Sequence, residues 1–227
     1  MEMLYKLKIL ALLITWSTLL NAQSFNIDWQ SCFGGSEQDY ATDIINVSKG
    51  YFIIGWTESS DGDISFNHGL NDGWLIKTDN TGNILWEKTY GGSNGDGFFR
   101  IVPDNLGNYI IIGGSGSSDG DISNDPYPGS EDFWIVKIDV EGNIIWDKIV
   151  GGNASDKIWT GSSTNDEGII AIGQSYSDDG DVSISYGMGD TWVIKINSGG
   201  ELEWDFTIGT DFIDVGQAII QTSDGGY

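Results

Sequence analysis

The sequence has very few of the residues on which several classes of protein depend. Its 227 residues include one cysteine, one histidine and three prolines. A single cysteine excludes an internal disulfide, so the fold has to be held together by its core. We expect that cysteine, Cys32, to be a small buried apolar residue. The single histidine, His68, leaves a histidine-based catalytic triad or a zinc site with little to build on.

Positive charge is also scarce. Ten lysine and arginine residues stand against 34 aspartate and glutamate residues, which gives a formal net charge of −24. Nucleic-acid binding and docking on an anionic membrane surface both require a basic surface, so the charge argues against both. The hydrophobic content of 39% and the aromatic content of 12% are too high for a disordered acidic chain. The sequence therefore predicts a folded protein without a nucleic-acid partner.

The one long apolar run lies near the N-terminus. Lys6 and Lys8 precede an apolar run over residues 9–16, and Ala22 closes the segment with a small side chain. This pattern is typical of a secretory signal peptide, and the run is shorter than the roughly 20 residues of a spanning helix. We expect residues 1–22 to be removed, which leaves a secreted chain, 23–227, with no membrane insertion. An uncleaved anchor is the alternative.

A repeat with a period of about 58 residues fills the remainder of the chain. Residues 26–35 align without gaps to residues 83–92 and 143–152, and a weaker copy covers residues 201–210. The marker tryptophans are 57, 60 and 58 residues apart: Trp29, Trp86, Trp146 and Trp204. An aspartate column keeps the same phase: Asp39, Asp96, Asp156 and Asp214. A fixed period of this length indicates a repeat architecture.

Each period has the pattern of four short strands. In the first repeat these cover Tyr40–Val47, Tyr51–Thr57, Gly73–Asp79 and Asn83–Tyr90. The segments are rich in β-branched and aromatic residues and are bounded by Gly, Asn, Asp or Ser, as is typical of strands. Gly82 supplies the positive φ angle of a tight turn, so the third and fourth strands are predicted to form a hairpin. The segment Asn26–Phe33 is predicted to be an orphan fourth strand.

Four antiparallel strands per repeat predict the blades of a β-propeller, within an all-β fold. We expect three full repeats, at about residues 30–86, 87–146 and 147–204, and a partial repeat at 205–227. Propellers use about four to eight blades, so three full repeats predict an incomplete propeller with exposed sheet edges. The sequence is therefore expected to be a piece of a longer product. A solenoid is the alternative architecture.

Three runs carry a family resemblance: Tyr90–Asp96, Asn105–Gly113 and Phe133–Asp139. They resemble the tandem repeats of exported bacterial β-propellers. The chain is similar to the SBBP-type β-propeller repeat family, and to the repeat arrays of proteins that carry a type IX secretion sorting domain. The resemblance covers Asn26–Tyr227 and implies a surface or extracellular bacterial protein, commonly without a known activity.

An acidic loop in each repeat supplies the candidate metal ligands. The candidates are Asp61, Asp63, Asp72, Asp119, Asp121, Asp132, Asp179, Asp181 and Asp190. Two carboxylates around a glycine, with a third nearby, are the kind of oxygen ligand that calcium prefers. The alternative is that these aspartates close turns through hydrogen bonds to the local backbone. No other cofactor is expected.

Two further sets of residues have predicted roles. Trp56 and Trp159 break the repeat columns, which leaves them free to stack on a ligand such as a sugar ring. The alternative is that both fill space in the core. The column of Lys77, Lys137 and Lys195 is expected to pair with carboxylates of the same or the next blade.

These observations together predict a secreted or cell-surface β-propeller repeat protein. We expect it to act as a non-enzymatic interaction or adhesion module, stiffened by calcium if the acidic loops bind metal. Its expected partner is a protein or a carbohydrate at the cell surface. The alternative function is the propeller portion of a carbohydrate-active enzyme, or a carbohydrate-binding protein.

Overall fold

Across the described residues, 26–227, the regular structure is made of strands alone. The computed structural model describes residues 26–227, and no helix in that range is long and apolar enough to cross a membrane. The twelve strands are β1 (Asp39–Val47), β2 (Gly50–Thr57), β3 (Asp72–Thr78), β4 (Ile84–Tyr90), β5 (Asp96–Pro103), β6 (Tyr109–Ser115), β7 (Asp132–Ile138), β8 (Ile144–Val150), β9 (Asp156–Ser163), β10 (Ile169–Ser175), β11 (Asp190–Ile196) and β12 (Leu202–Ile208). The predicted signal peptide, residues 1–22, lies outside the described residues.

The strands form three antiparallel sheets of four strands each. The sheets have the orders β1-β2-β3-β4, β5-β6-β7-β8 and β9-β10-β11-β12, so every strand pairs with its neighbour in the sequence. We call these sheets blades 1, 2 and 3. The prediction of an all-β, propeller-like array of four-stranded blades is confirmed, and its open arrangement fits an incomplete propeller.

The predicted hairpin between the third and fourth strands is confirmed. Strand β3 pairs with β4, and the turn between them contains Gly82 at a φ of 82°. The amide of Gly82 donates to the carbonyl of Asp79 at 3.2 Å, and Asp79 Oδ1 accepts the amide of Thr81 at 2.8 Å. A left-handed residue closes this turn, and glycine adopts that conformation without steric cost. The repeat therefore places a glycine at this point in every blade.

The main cores lie between blades, because each sheet covers a face of the next one. Phe52 and Leu75 of blade 1 pack with Phe98 and Trp134 of blade 2 in one cluster. A second cluster joins blade 2 to blade 3 through residues that include Trp192. Central strands such as β7 are buried along their whole length, since both faces of the sheet are covered. Trp134 and Trp192, two repeated tryptophans of the third strand, therefore belong to these cores, whereas the marker tryptophan Trp204 is 39% exposed.

Two predictions about the N-terminal part were wrong. The segment Asn26–Phe33 contains no strand, although its aligned copies β4, β8 and β12 do form strands. Each of those copies pairs with the third strand of its own blade, and residues 26–38 supply no such partner. Cys32 lies in this segment, and it is exposed rather than buried.

The lysine column behaves as predicted in two blades out of three. The Nζ atoms of Lys137 and Lys195 each lie 2.9 Å from an aspartate oxygen, on Asp104 and Asp166 respectively. The prediction was wrong for Lys77, which donates to a backbone carbonyl at 3.1 Å. Blade 1 has a serine at the place in the turn where blade 2 has Asp104, so that lysine has no carboxylate to meet there.

Truncation of a core tryptophan tests the inter-blade core. Trp134 is 0% exposed, and its ring centroid lies 5.5 Å from that of Phe98. We expect Trp134→Ala to lower the free energy of unfolding by about 3–5 kcal/mol because it leaves a large cavity. Trp204→Ala is the matched control, since Trp204 is 39% exposed and its loss should cost far less. Urea denaturation followed by circular dichroism measures both, and equal losses would contradict an inter-blade core.

Candidate functional site

The acidic loops hold the Gly-Gly turns that lead from one blade into the next. In blade 2, Asp121 Oδ2 accepts the amide of Gly91 at 3.2 Å, and Asp119 Oδ1 accepts the amide of Ser93 at 2.7 Å. The amide of Asp121 in turn donates to the carbonyl of Gly91 at 2.9 Å. We call the loop residues that make these contacts the clamp loops, which are residues 59–63, 117–121 and 177–181. The same contacts recur at the turns of Gly34 and Gly151.

The first-strand aspartate and a serine complete each clamp. Asp96 Oδ2 accepts the amide of Gly92 and the hydroxyl of Ser117, both at 2.8 Å. The Ser117 hydroxyl oxygen also accepts the amide of Asn94 at 2.9 Å. Four successive amides, from Gly91 to Asn94, therefore donate to side-chain oxygens of the next blade. Backbone amides at a turn need such acceptors when no strand lies beside them.

These contacts decide where the metal candidates lie. Two of the three candidates of each blade lie in the same clamp loop: Asp61 and Asp63, Asp119 and Asp121, and Asp179 and Asp181. Each of these six accepts a backbone amide through one carboxylate oxygen. Residues 26–227 contain no group of three or more His, Cys, Asp or Glu side chains placed to hold a metal ion. The third candidate of each blade is therefore not brought into one site with the other two. Calcium binding at the clamp loops stays a prediction.

The third candidates form a separate buried column at the start of the third strand. Asp72 accepts the amide of His68 at 2.8 Å, Asp132 the hydroxyl of Ser130 at 2.8 Å, and Asp190 the amide of Tyr186 at 2.7 Å. In all three aspartates this contact uses Oδ2. The Oδ1 atom of each is buried and accepts no hydrogen bond. A buried carboxylate oxygen without a donor is costly if the group is charged.

Burial acts on the carboxyl of blade 2 whose oxygen is unpartnered. Desolvation, and then the nearby carboxylate of Asp156, raise the pKa of Asp132 to about 8. Asp132 is 1% exposed and Asp156 is 0% exposed. The protonated form of Asp132 is therefore favoured, which lowers the cost of leaving its Oδ1 atom without a donor. A second pair of carboxyl groups, those of Asp72 and Asp96, lies at Gly91. A Cβ atom added to Gly91 would lie within 3 Å of an oxygen of each of them.

His68 makes a contact that the sequence did not predict. Its Nδ1 atom lies 2.6 Å from Asp72 Oδ2, and its Nε2 atom lies 3.7 Å from Asp121 Oδ2. The single histidine thus stands between a buried carboxylate of blade 1 and a clamp-loop carboxylate of blade 2. The spacing of four residues between His68 and Asp72 could have indicated this contact. A comparison of the repeats could not indicate it, since the other blades have no histidine in this loop.

The two non-repeated tryptophans lie in different surroundings. Trp56 is half-buried and stacks on Tyr40 with ring centroids 4.4 Å apart and ring planes 22° apart. It forms one wall of an open cleft at the junction of blades 1 and 2. The other residues that line this cleft are Asn71, Gly95, Asp96, Gly97, Phe99, Gly114, Gly116 and Glu131. We call it the Trp56 cleft. Trp159, which is 39% exposed on β9, does not line it.

Comparison with known proteins assigns no family. No protein-family model matches the chain, and no curated protein sequence matches it. The function is therefore inferred from the geometry of the clamps, the buried carboxyl pairs and the Trp56 cleft.

Removal of a clamp aspartate tests whether the clamps hold the blades together. Asp96→Ala removes the carboxylate that accepts three donors, namely the Gly92 amide and the hydroxyls of Ser115 and Ser117. We expect a loss of at least about 3 kcal/mol in the free energy of unfolding, measured in urea. Asp119→Ala is the control, since Asp119 is exposed and water can replace it at the amide of Ser93. A loss at Asp96 below about 1 kcal/mol would show that the clamps do not stabilise the fold.

The buried carboxyl pair predicts that stability falls as pH rises. The pKa of Asp132 is raised above 3.8, so the folded chain holds this proton more tightly than the unfolded chain does. This contribution is complete below about pH 4 and is lost progressively up to about pH 8. Asp132→Asn removes the titration and keeps an amide able to hydrogen-bond. Between pH 5 and pH 8 we expect the wild type to lose at least about 1 kcal/mol more than the variant. Equal losses in urea unfolding would contradict a raised pKa of Asp132 in the folded chain.

Proposed function

We propose that this protein is a secreted, non-enzymatic interaction module of the bacterial cell surface, built from β-propeller repeats. The observation that supports the proposal is a division of its polar and aromatic side chains into two sets. The repeated carboxylates are engaged with the backbone of the clamped turns. The non-repeated aromatics, Trp56 and Trp159, keep exposed surface that the fold does not cover.

The engaged carboxylates favour a binding role over catalysis. An acid–base pair in a glycosidase has to flank its substrate at a defined separation. Here Asp132 and Asp156 are enclosed at a blade junction, and related junctions repeat the arrangement. Repetition in successive blades, combined with burial, is what a structural role requires. The resemblance to exported propeller repeats supports the same proposal.

A carbohydrate-binding protein, or the propeller portion of a carbohydrate-active enzyme, is the second candidate. The observation that favours it is the pair of aromatic side chains, Trp56 and Phe99, in an open cleft beside Asn71 and Glu131. Aromatic faces next to polar groups are common in ligand sites. The cell-surface partner is a protein for the interaction module and a carbohydrate for this second candidate.

A cell-binding experiment separates the two candidates. The fluorescently labelled chain 23–227 is incubated with intact bacteria, and bound label is measured with and without an excess of unlabelled chain. An interaction module predicts saturable binding that the unlabelled chain competes away. Protease treatment of the cells removes a protein partner, whereas periodate treatment removes a glycan partner. Binding that neither saturates nor is competed would contradict both candidates.

A calorimetric test addresses calcium at the clamp loops. The thermal unfolding midpoint of chain 23–227 is measured in EDTA, and then in millimolar calcium or magnesium chloride. Because the clamp-loop aspartates already accept backbone amides, we expect calcium to raise the midpoint no more than magnesium does. A calcium-specific rise that grows with concentration, and that is lost in Asp121→Asn, would instead make these aspartates calcium ligands.

A further inference from the structure

One pair of facing residues differs sharply from blade to blade. The pair lies on the first and second strands of each blade, next to the clamps, which are themselves repeated. Its members are Tyr40 and Trp56 in blade 1, Gly97 and Gly114 in blade 2, and Lys157 and Gln174 in blade 3. Because this pair varies while the neighbouring clamps repeat, its side chains are not needed for the hydrogen bonds that the clamps make.

The two glycines of this pair form the floor of the Trp56 cleft. Trp56 rises on one side and is held by its stack on Tyr40. Phe99 and Glu131 line the cleft as well. In blade 1 the equivalent space is filled by the aromatic pair itself, so the missing side chains of blade 2 leave the cleft open.

The fold does not require glycine at either position. A Cβ atom added at Gly97 would approach no atom closer than 3.5 Å, and one at Gly114 no atom closer than 3.6 Å. Neither residue has the positive φ angle that favours glycine. By contrast, a Cβ atom at Gly55 would lie 1.7 Å from the carbonyl oxygen of Tyr40. Gly97 adjoins the β-bulge between Phe98 and Arg100, whereas Gly114 adjoins no bulge. Glycine in a strand also occurs where a ligand approaches the backbone, which fits Gly114.

The polar groups left free in the cleft indicate the class of ligand. The Asp96 carboxylate is occupied by Gly92 and by two serine hydroxyls, and Asn71 Nδ2 donates to the Asp96 carbonyl at 2.7 Å. Glu131 forms no salt bridge with any residue that the structure describes. A sugar ring would bring several hydroxyl groups into the cleft, where few hydrogen-bonding side chains are free to meet them. A cation needs one carboxylate and an aromatic face, and the cleft offers both.

We propose that the Trp56 cleft binds a lysine side chain of a basic partner protein. This inference rests on the proposed function as an interaction module and names the chemistry of its partner. The ammonium group lies against the rings of Trp56 and Phe99 and pairs with the carboxylate of Glu131. The net charge of −24 attracts a basic partner from a distance, and the cleft fixes where it docks.

The test uses acetylated hexalysine as the probe and maltohexaose as its neutral counterpart. Affinities for chain 23–227 and its variants are measured by calorimetry at one fixed salt concentration. We expect Trp56→Leu and Gly114→Leu to weaken hexalysine binding about fivefold or more. Trp204→Leu is the matched control and should bind like the wild type, since Trp204 is 39% exposed and does not line the cleft. All three variants keep the net charge, so a general electrostatic attraction would survive in each of them.

Several outcomes would overturn the inference. One is an equal loss in Trp56→Leu and Trp204→Leu, and another is unchanged hexalysine binding in the two cleft variants. Maltohexaose binding that Trp56→Leu abolishes would assign the cleft to a sugar instead. Gly114→Leu keeps the test valid if Trp56→Leu fails to fold. Its new side chain occupies the cleft and leaves the stack of Trp56 on Tyr40 in place. Hexalysine binding at the cleft without any cell binding would refute the proposed function alone.

Discussion

The arrangement of the blades depends on side-chain oxygens that satisfy the amides of the Gly-Gly turns. Each turn joins the last strand of one blade to the first strand of the next, and its amides have no strand beside them. In blade 2 the acceptors come from Asp96, Ser117, Asp119 and Asp121. A carboxylate is a strong acceptor for several amides at once. The clamp therefore explains why an acidic loop returns in every blade of a protein that carries so little positive charge.

The clamps also bring buried carboxyl groups close together at the junctions between blades. The first-strand aspartate of one blade lies near the third-strand aspartate of the previous blade, as Asp156 lies near Asp132. At this junction burial and the nearby Asp156 carboxylate raise the pKa of Asp132, which favours its neutral form. Buried lysine–aspartate pairs occur elsewhere in the blades, where Lys137 meets Asp104 at 2.9 Å. The buried acid Asp132 thus differs from Asp104, whose charge is balanced by a lysine at the end of a strand.

Much of this fold could be predicted from the sequence because the same pattern of strands and turns recurs in each repeat. The predicted first strand Tyr40–Val47 differs from the observed strand Asp39–Val47 by one residue. The segment Asn26–Phe33 carries the same motif and forms no strand, because pairing depends on a partner and not only on composition. Cys32 is exposed for the same reason.

The candidate site was less predictable, since it depends on contacts between loops. Asp72 follows the clamp loop closely in sequence, which suggested one site, yet it lies at the start of β3 and near Asp96 of the next blade. Trp56 could be singled out because it breaks the repeat. Gly97 and Gly114 could not, because a glycine in a strand pattern looks the same whether it serves a bulge, a close contact or an open floor.

Amide hydrogen exchange at the Gly-Gly turns measures directly whether the clamps hold the blades together. We expect the amides of Gly91, Gly92, Gly151 and Gly152 to exchange as slowly as those of the central strands, because side-chain oxygens hold them until blades separate. Exchange as fast as that of an exposed loop would show that the clamps do not hold the turns. The blades would then be held by their apolar cores alone.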